Sequence, residues 1–94
     1  MKRKLTSKQI NRLRTYGLTP FQYNRMLRHQ NNVCAICGGR NSDRDLAVDH
    51  NHITGEVRGL LCTRCNMGLG YFMDNPRLLA SALVYLEDNG YLGF

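Results

Sequence analysis

Ninety-four residues with a formal charge of +6 make a small basic chain, of a size that buries a modest share of its surface and often needs a staple. No apolar run approaches the ~20 residues needed to cross a bilayer, which excludes a membrane-spanning helix. Met1-Lys2-Arg3-Lys4 runs into Leu5-Thr6-Ser7-Lys8-Gln9 without the apolar stretch of a secretory signal, so an intracellular, cytoplasmic chain with reduced thiols is expected.

Charge is distributed unevenly. Residues 1–33 hold Lys2, Arg3, Lys4, Lys8, Arg12, Arg14, Arg25 and Arg28 and no acid, whereas all seven acids lie from Asp43 onward. A basic arm of this kind suits a polyanion such as DNA, against the plainer reading of a solvated basic face. Within it, residues 5–15 are expected to be helical, with Ser7 as an acceptable cap, Ile10 and Leu13 on one face and Gly17 as the stop. Thr19-Pro20-Phe21-Gln22 opens a second helix through a capping box, with proline at the first helical position. That helix should reach about Gln30 and present Arg25 and Arg28 on its polar side.

Cys34-Ala35-Ile36-Cys37-Gly38-Gly39 has the form of a zinc knuckle, and residues 40–45 read as a polar loop. Leu46-Ala47-Val48 starts a strand whose partner is Val57 to Leu61, joined by a turn at Thr54-Gly55. A helix from Cys62 to about Met73 follows, despite Gly68 and Gly70, which point to close packing or an early helix end. Asn75-Pro76 starts a last helix with Leu78, Leu79, Ala82, Leu83 and Leu86 in one apolar stripe, and Asn89-Gly90 stops it. The apolar tail Tyr91-Leu92-Gly93-Phe94 should fold back on the core or touch a partner, and a homodimer would form through these helical ends.

Two clusters carry chemistry. Two C-x-x-C pairs, Cys34/Cys37 and Cys62/Cys65, each clip one edge of a tetrahedron and so predict a structural zinc ion, in preference to a redox dithiol or free buried thiols. Between them lie Asp49, His50 and His52, and Asn66 directly follows the last cysteine. A hard carboxylate and an amide carbonyl suit Mg²⁺ or Mn²⁺, and a neutral imidazole can take a proton from water near neutral pH, the requirements of phosphodiester hydrolysis. In a regular strand Asp49 and His50 point to opposite faces, so the strand must end, twist or bulge there for both to reach one phosphate. The competing reading is a polar turn with chance histidines, since Asp-His alone is a weak motif.

The residues CAICG, then VDHNH-x-TG-x-VRGLLC-x-x-CN, then LG-x-x-x-D and a Leu/Ala-rich helix ending in YLE, resemble the phage recombination endonuclease VII family, a branch of the HNH or ββα-metal nucleases. The upstream YGLTPFQYNRML, with Gln30 and Cys34, resembles the segment before that family's first zinc pair, so the likeness spans roughly Tyr16 to Glu87. It implies zinc at Cys34, Cys37, Cys62 and Cys65, a catalytic divalent ion at Asp49 and Asn66, His50 as general base and an auxiliary His52. The expected fold is a small zinc-stabilised α+β domain, a ββα-metal, treble-clef-like core (34–73) between a basic helical arm (1–33) and a C-terminal helix and tail (74–94). The expected activity is metal-dependent DNA cleavage on duplex or branched DNA such as Holliday junctions, with Arg25, Arg28, Arg58 and Arg64 as phosphate contacts, in the host cytoplasm if a phage encodes the chain. The alternative is a non-catalytic zinc module that binds nucleic acid.

Overall fold

The computed structural model describes residues 5–41 and 45–88, so the expected stop at Asn89-Gly90 and the tail lie outside the described residues. Its elements run α1 (Ser7–Arg14), α2 (Pro20–His29), β1 (Ala47–His50), β2 (Val57–Leu61), α3 (Thr63–Tyr71) and α4 (Pro76–Glu87), four helices and one two-stranded antiparallel sheet.

Helix α1 is capped by Thr6, not by Ser7. The reason lies three residues downstream: Gln9 closes a reciprocal capping box on Thr6, whereas Ile10, the corresponding residue for Ser7, has no polar group to return. Gly17, at φ +71°, turns the chain, and the Leu18 N–H reaches back to the Leu13 carbonyl at 3.0 Å. Thr19 then caps α2 as expected, with Pro20 in its first turn and Gln22 closing the box.

The two helices pack on the hairpin through Leu13, Tyr23 and Leu27, which join Leu46, Leu60, Leu61, Cys34 and Cys62 in the buried core. Tyr23 places its hydroxyl inside and donates to the Leu46 carbonyl at 2.7 Å, which satisfies both groups. Gln30, at the end of α2, behaves as a short third strand. Its amide nitrogen donates to the Val33 and Leu60 carbonyls, and its oxygen accepts the Leu60 N–H, each at 2.9 Å. Ala35 adds a 3.1 Å bond to the same Leu60 carbonyl, so the outer edge of β2 is covered.

The hairpin turn is built by Asn51, whose side-chain oxygen accepts the Ile53 and Thr54 N–H groups, while Gly55 takes φ +79°. Pairing runs Ala47↔Leu61, Val48↔Leu60 and Asp49↔Gly59, then jumps to His50↔Val57. Arg58 is therefore the extra residue of a β-bulge, lying between the partners of Asp49 and His50. Gly59, beside it, is buried, and a Cβ there would come within 3.4 Å of the Gln30 amide oxygen.

Helix α3 continues through Gly68 and Gly70, and the space beside both is open, so close packing does not explain them. The helix stops because Met73 and Asp74 adopt left-handed backbone, φ 55° and 52°, with the Asp74 N–H on the Leu69 carbonyl at 2.8 Å. Asn75 immediately caps α4 by accepting the Arg77 and Leu78 N–H groups. The apolar stripe of α4 stays largely open: Leu79 and Ala82 are half-buried, but Leu83 is 55% and Leu86 74% exposed. No helix among the described residues is long and apolar enough to cross a membrane.

Candidate metal centre and active site

The four cysteines meet. Cys34 and Cys37 come from the knuckle, where Gly38 at φ +72° tightens the turn and the Cys34 N–H bonds the Gly39 carbonyl at 2.7 Å. Cys62 caps α3, with its sulfur accepting the Cys65 N–H, and Cys65 lies in the first turn of that helix. All four sulfurs lie within 4.8 Å of one another, and Cys37 and Cys62 are 3.8 Å apart. A tetrahedron with Zn–S bonds of about 2.3 Å has edges of about 3.8 Å, so the spacing fits a zinc ion.

The electrostatics agree with the geometry. Burial opposes a charged Cys34, but the backbone N–H groups of Cys37, Cys62 and Ile36 outweigh it and bring that thiol down to about 6. The Gly39 N–H lowers Cys37. Burial and the crowding of the other three sulfurs push Cys65 up to about 12. Four sulfurs at this spacing cannot all be anionic without a cation between them, and a zinc ion could supply that charge. Arg64 lies against the Cys37 sulfur, which raises its pKa above the ordinary arginine value, so this guanidinium faces the thiolate cluster.

Asp49 is buried, 8% exposed, on the hairpin strand that leads from Leu46 toward the turn. Both its carboxylate oxygens are held by the bulged Arg58, Nε to Oδ2 at 2.7 Å and Nη2 to Oδ1 at 2.9 Å. The same Nη2 lies 3.4 Å from the Asp74 carboxylate, and His52 Nδ1 lies 3.5 Å from that Asp74 oxygen. The hydrogen bonds that Arg58 donates to Asp49 outweigh the cost of burial and, with the charges of Asp49 and Asp74, hold Arg58 above the ordinary arginine range.

His50 sits between two rings. Its centroid is 5.0 Å from Tyr16, tilted by 45°, and 4.7 Å from His52, nearly edge-on at 66°. Asn66, one residue beyond a cysteine ligand, borders a groove of about 590 Å³ between α1 and the hairpin, with Lys8, Arg12, Tyr16, Val48 and Thr63 among its other walls. No hydrogen bond joins Asn66 to Asp49. Arg25 lines a second cleft of about 350 Å³ together with His29 and Arg58, and Arg28 is exposed on α2.

The expected site residues thus fall into four groups: the sulfur cluster with Arg64, the Asp49/Arg58 pair beside the two histidines, Asn66 on the groove, and Arg25 and Arg28 on α2. The donor chemistry of Asp49 and Asn66, a carboxylate and an amide carbonyl, fits a hard divalent ion. A carboxylate as buried as Asp49 also demands positive charge, which Arg58 now provides. Three contributors, Tyr16, Gln30 and Asp74, stand in the family-like segments, but their roles are not legible there. Tyr16 lies outside the Asp-His segment. Gln30 acts through backbone groups. Asp74 looks like part of a helix end, yet an acid at a helix C-terminus opposes the helix dipole, and that misplacement is its signal.

Comparison with known proteins follows the same lines. The profile of the family described as recombination endonuclease VII matches residues 9–88. The Gene 59 protein of Mycobacterium phage D29 is 44% identical over 87 residues, covering 90% of this chain and 53% of the relative. The Gene 59 protein of Mycobacterium phage L5 is 42% identical over 86 residues, covering 89% and 52%. The chain spans about half the length of these curated relatives, and no solved structure matches it significantly.

Proposed function

Because the chain belongs to the recombination endonuclease VII family, we propose that it is a metal-dependent DNA endonuclease whose β1-β2-α3 segment is an HNH-type, ββα-metal core. The observation that carries this reading is the placement of His50: an imidazole steadied by Tyr16 and His52, next in sequence to a buried, cation-seeking carboxylate, on a hairpin whose far end is the four-sulfur cluster.

In this reading His50 takes the proton from a water as its oxygen forms a bond to phosphorus, the P–O bond to the leaving 3′ oxygen breaks, and that oxygen acquires a proton from solvent. Asp49 and Asn66 are the residues that would hold a Mg²⁺- or Mn²⁺-type ion, which when bound supplies Lewis-acid stabilisation of the phosphoryl group and the leaving oxygen. A zinc ion held by Cys34, Cys37, Cys62 and Cys65 would be structural, since four protein ligands would leave it no place for water or phosphate. Its role is to fix Cys62 and Cys65, and through them β2 and Asn66. Lys8 and Arg12 on the groove, with Arg25, Arg28 and Arg58, supply positive charge for the phosphate backbone.

The substrate is DNA, either branched DNA of the Holliday-junction type or duplex that is nicked, and the open apolar stripe of α4 favours a homodimer. The test is cleavage of a labelled four-way junction and of plasmid by zinc-loaded protein, with Mg²⁺ and with the ion withheld. His50→Ala should lower cleavage by about 10²–10⁴-fold while retaining zinc and fold, and full activity in that variant would remove His50 from the mechanism. One observation favours the second reading, a nucleic-acid-binding zinc module: Arg58 occupies both oxygens of the carboxylate that the catalytic ion would use. That reading requires salt-sensitive DNA binding with no Mg²⁺-dependent turnover.

A further inference from the structure

Arg58 is held unequally by its two acids. Its contacts to Asp49 are short and two-pronged, 2.7 and 2.9 Å, whereas its contact to Asp74 is a single long approach of 3.4 Å. The Asp49 side chain is 10% exposed, but the Arg58 side chain is 36% exposed and Asp74 22%, so the guanidinium has room to move outward from the first acid to the second. Asp74, by contrast, is fixed. It occupies left-handed backbone next to a methionine in the same strained conformation, and its N–H is tied to Leu69. Holding two ordinary side chains in that region is costly, and the arrangement delivers a carboxylate to the edge of the hairpin site.

A divalent ion cannot take the oxygens of Asp49 while a guanidinium forks both of them. The like charges repel at such range, and the fork takes one lone pair of each oxygen on the side from which an ion would bridge both. We propose that Arg58 is the resident counter-cation of Asp49, displaced when a divalent ion binds and received by Asp74, so that the protein's own guanidinium competes with the ion for its ligand. This inference rests on the reading of Asp49 as an ion ligand. Asp74 is a positioning residue in it, one that never touches the ion. Its oxygen is shared with His52, so arrival of Arg58 at Asp74 also changes the setting of the histidine beside His50.

The experiment uses zinc-loaded protein without DNA. Binding of Mn²⁺ is followed by paramagnetic resonance of the free aqueous ion, and the Arg58 Nε–H group is followed by ¹⁵N NMR as Mg²⁺ is added. Arg58→Gln should bind Mn²⁺ at least about tenfold more tightly than the wild type, because a charge-assisted contact no longer has to be broken. Asp74→Asn should bind it more weakly. In the wild type the Arg58 Nε–H resonance should move to a new position as Mg²⁺ saturates, and Asp74→Asn should lose that position. Equal or weaker Mn²⁺ binding by folded Arg58→Gln, or an unmoved resonance at saturating Mg²⁺, overturns the proposal. Should Arg58→Gln fail to retain zinc, the wild-type resonance decides alone. Asp49→Asn separates the two levels of inference. If it binds Mn²⁺ as well as the wild type, the ion-ligand reading of Asp49 falls and takes the proposal with it. If it abolishes binding while Arg58→Gln matches the wild type, only the role of Arg58 falls.

Discussion

Replacing Gln30 by leucine tests whether the end of α2 holds the hairpin in register. Gln30 makes three hydrogen bonds with backbone at 2.9 Å, and one of them satisfies the N–H of Leu60, a residue with no exposed surface. In Gln30→Leu that N–H is left buried and unpaired, at a cost of about 1–3 kcal/mol, and each of the two lost carbonyl contacts adds about 0.5–1.5 kcal/mol. The Leu60 carbonyl keeps its bond from Ala35, which places its share at the low end. The sum is about 2–5 kcal/mol of destabilisation, a large part of the roughly 5–14 kcal/mol available to a chain of this length. Leucine also brings branched carbons toward Gly59, where the space is already tight. Denaturant unfolding of the zinc-loaded proteins measures the loss, and amide exchange localises it to residues 57–61. A change below about 0.5 kcal/mol with unaltered exchange at Leu60 would refute the claim that this side chain serves as a third strand.

Removing zinc by chelation should largely unfold the chain, since structural zinc contributes on the order of 10 kcal/mol in small domains; circular dichroism reads this directly, and an unchanged spectrum contradicts it. Tyr16→Ala should lower kcat about tenfold with KM little altered, by freeing the His50 ring, whereas Tyr16→Phe, which keeps the ring, should behave as wild type; equal loss in both variants would shift the role to the hydroxyl. Thr19→Ala should cost about 1 kcal/mol by opening the capping box of α2, visible as a lower unfolding midpoint without loss of zinc. If α4 joins two copies, Leu83→Glu with Leu86→Glu should convert a dimer into a monomer in sedimentation and leave the zinc cluster intact; an unchanged sedimentation profile would show that the stripe serves another purpose.

Local signals were legible wherever the physics is local. Thr19-Pro20-Phe21-Gln22 announces its helix because the cap, the fixed proline φ and the returning side chain all lie within four residues. Thr54-Gly55 announces its turn for the same reason, although not the part that Asn51 plays in it, and two C-x-x-C pairs declare a tetrahedral site by spacing alone. The α1 cap at Thr6 is equally local, since Gln9 stands three residues after Thr6 and the apolar Ile10 three after Ser7. The bulge at Arg58 was not legible, because it is a mismatch between two strand lengths whose ends only the folded hairpin defines. The open face of α4 escaped for a related reason: periodicity tells which side of a helix is apolar but not whether anything covers it. At the site, the Asp-His segment was found by residue type, while the partners of its members, Tyr16 for His50 and Asp74 for Arg58 and His52, come from elements brought together by tertiary folding.

The bulge also makes the hairpin a measuring device. Five residues of β2 run alongside four of β1, and both ends of the ladder are clamped, one by the Asn51 turn and the other by the cysteine at the base of α3. With neither clamp able to slide, the surplus residue must be absorbed in the middle, beside Asp49 and His50. Exchange of side chains would leave that surplus in place, but loss of a single residue between Glu56 and Cys62 would make the two strands commensurate. Arg58 would then lose its place between the partners of Asp49 and His50. A change of length, more than any change of residue type, is what this site is least able to tolerate.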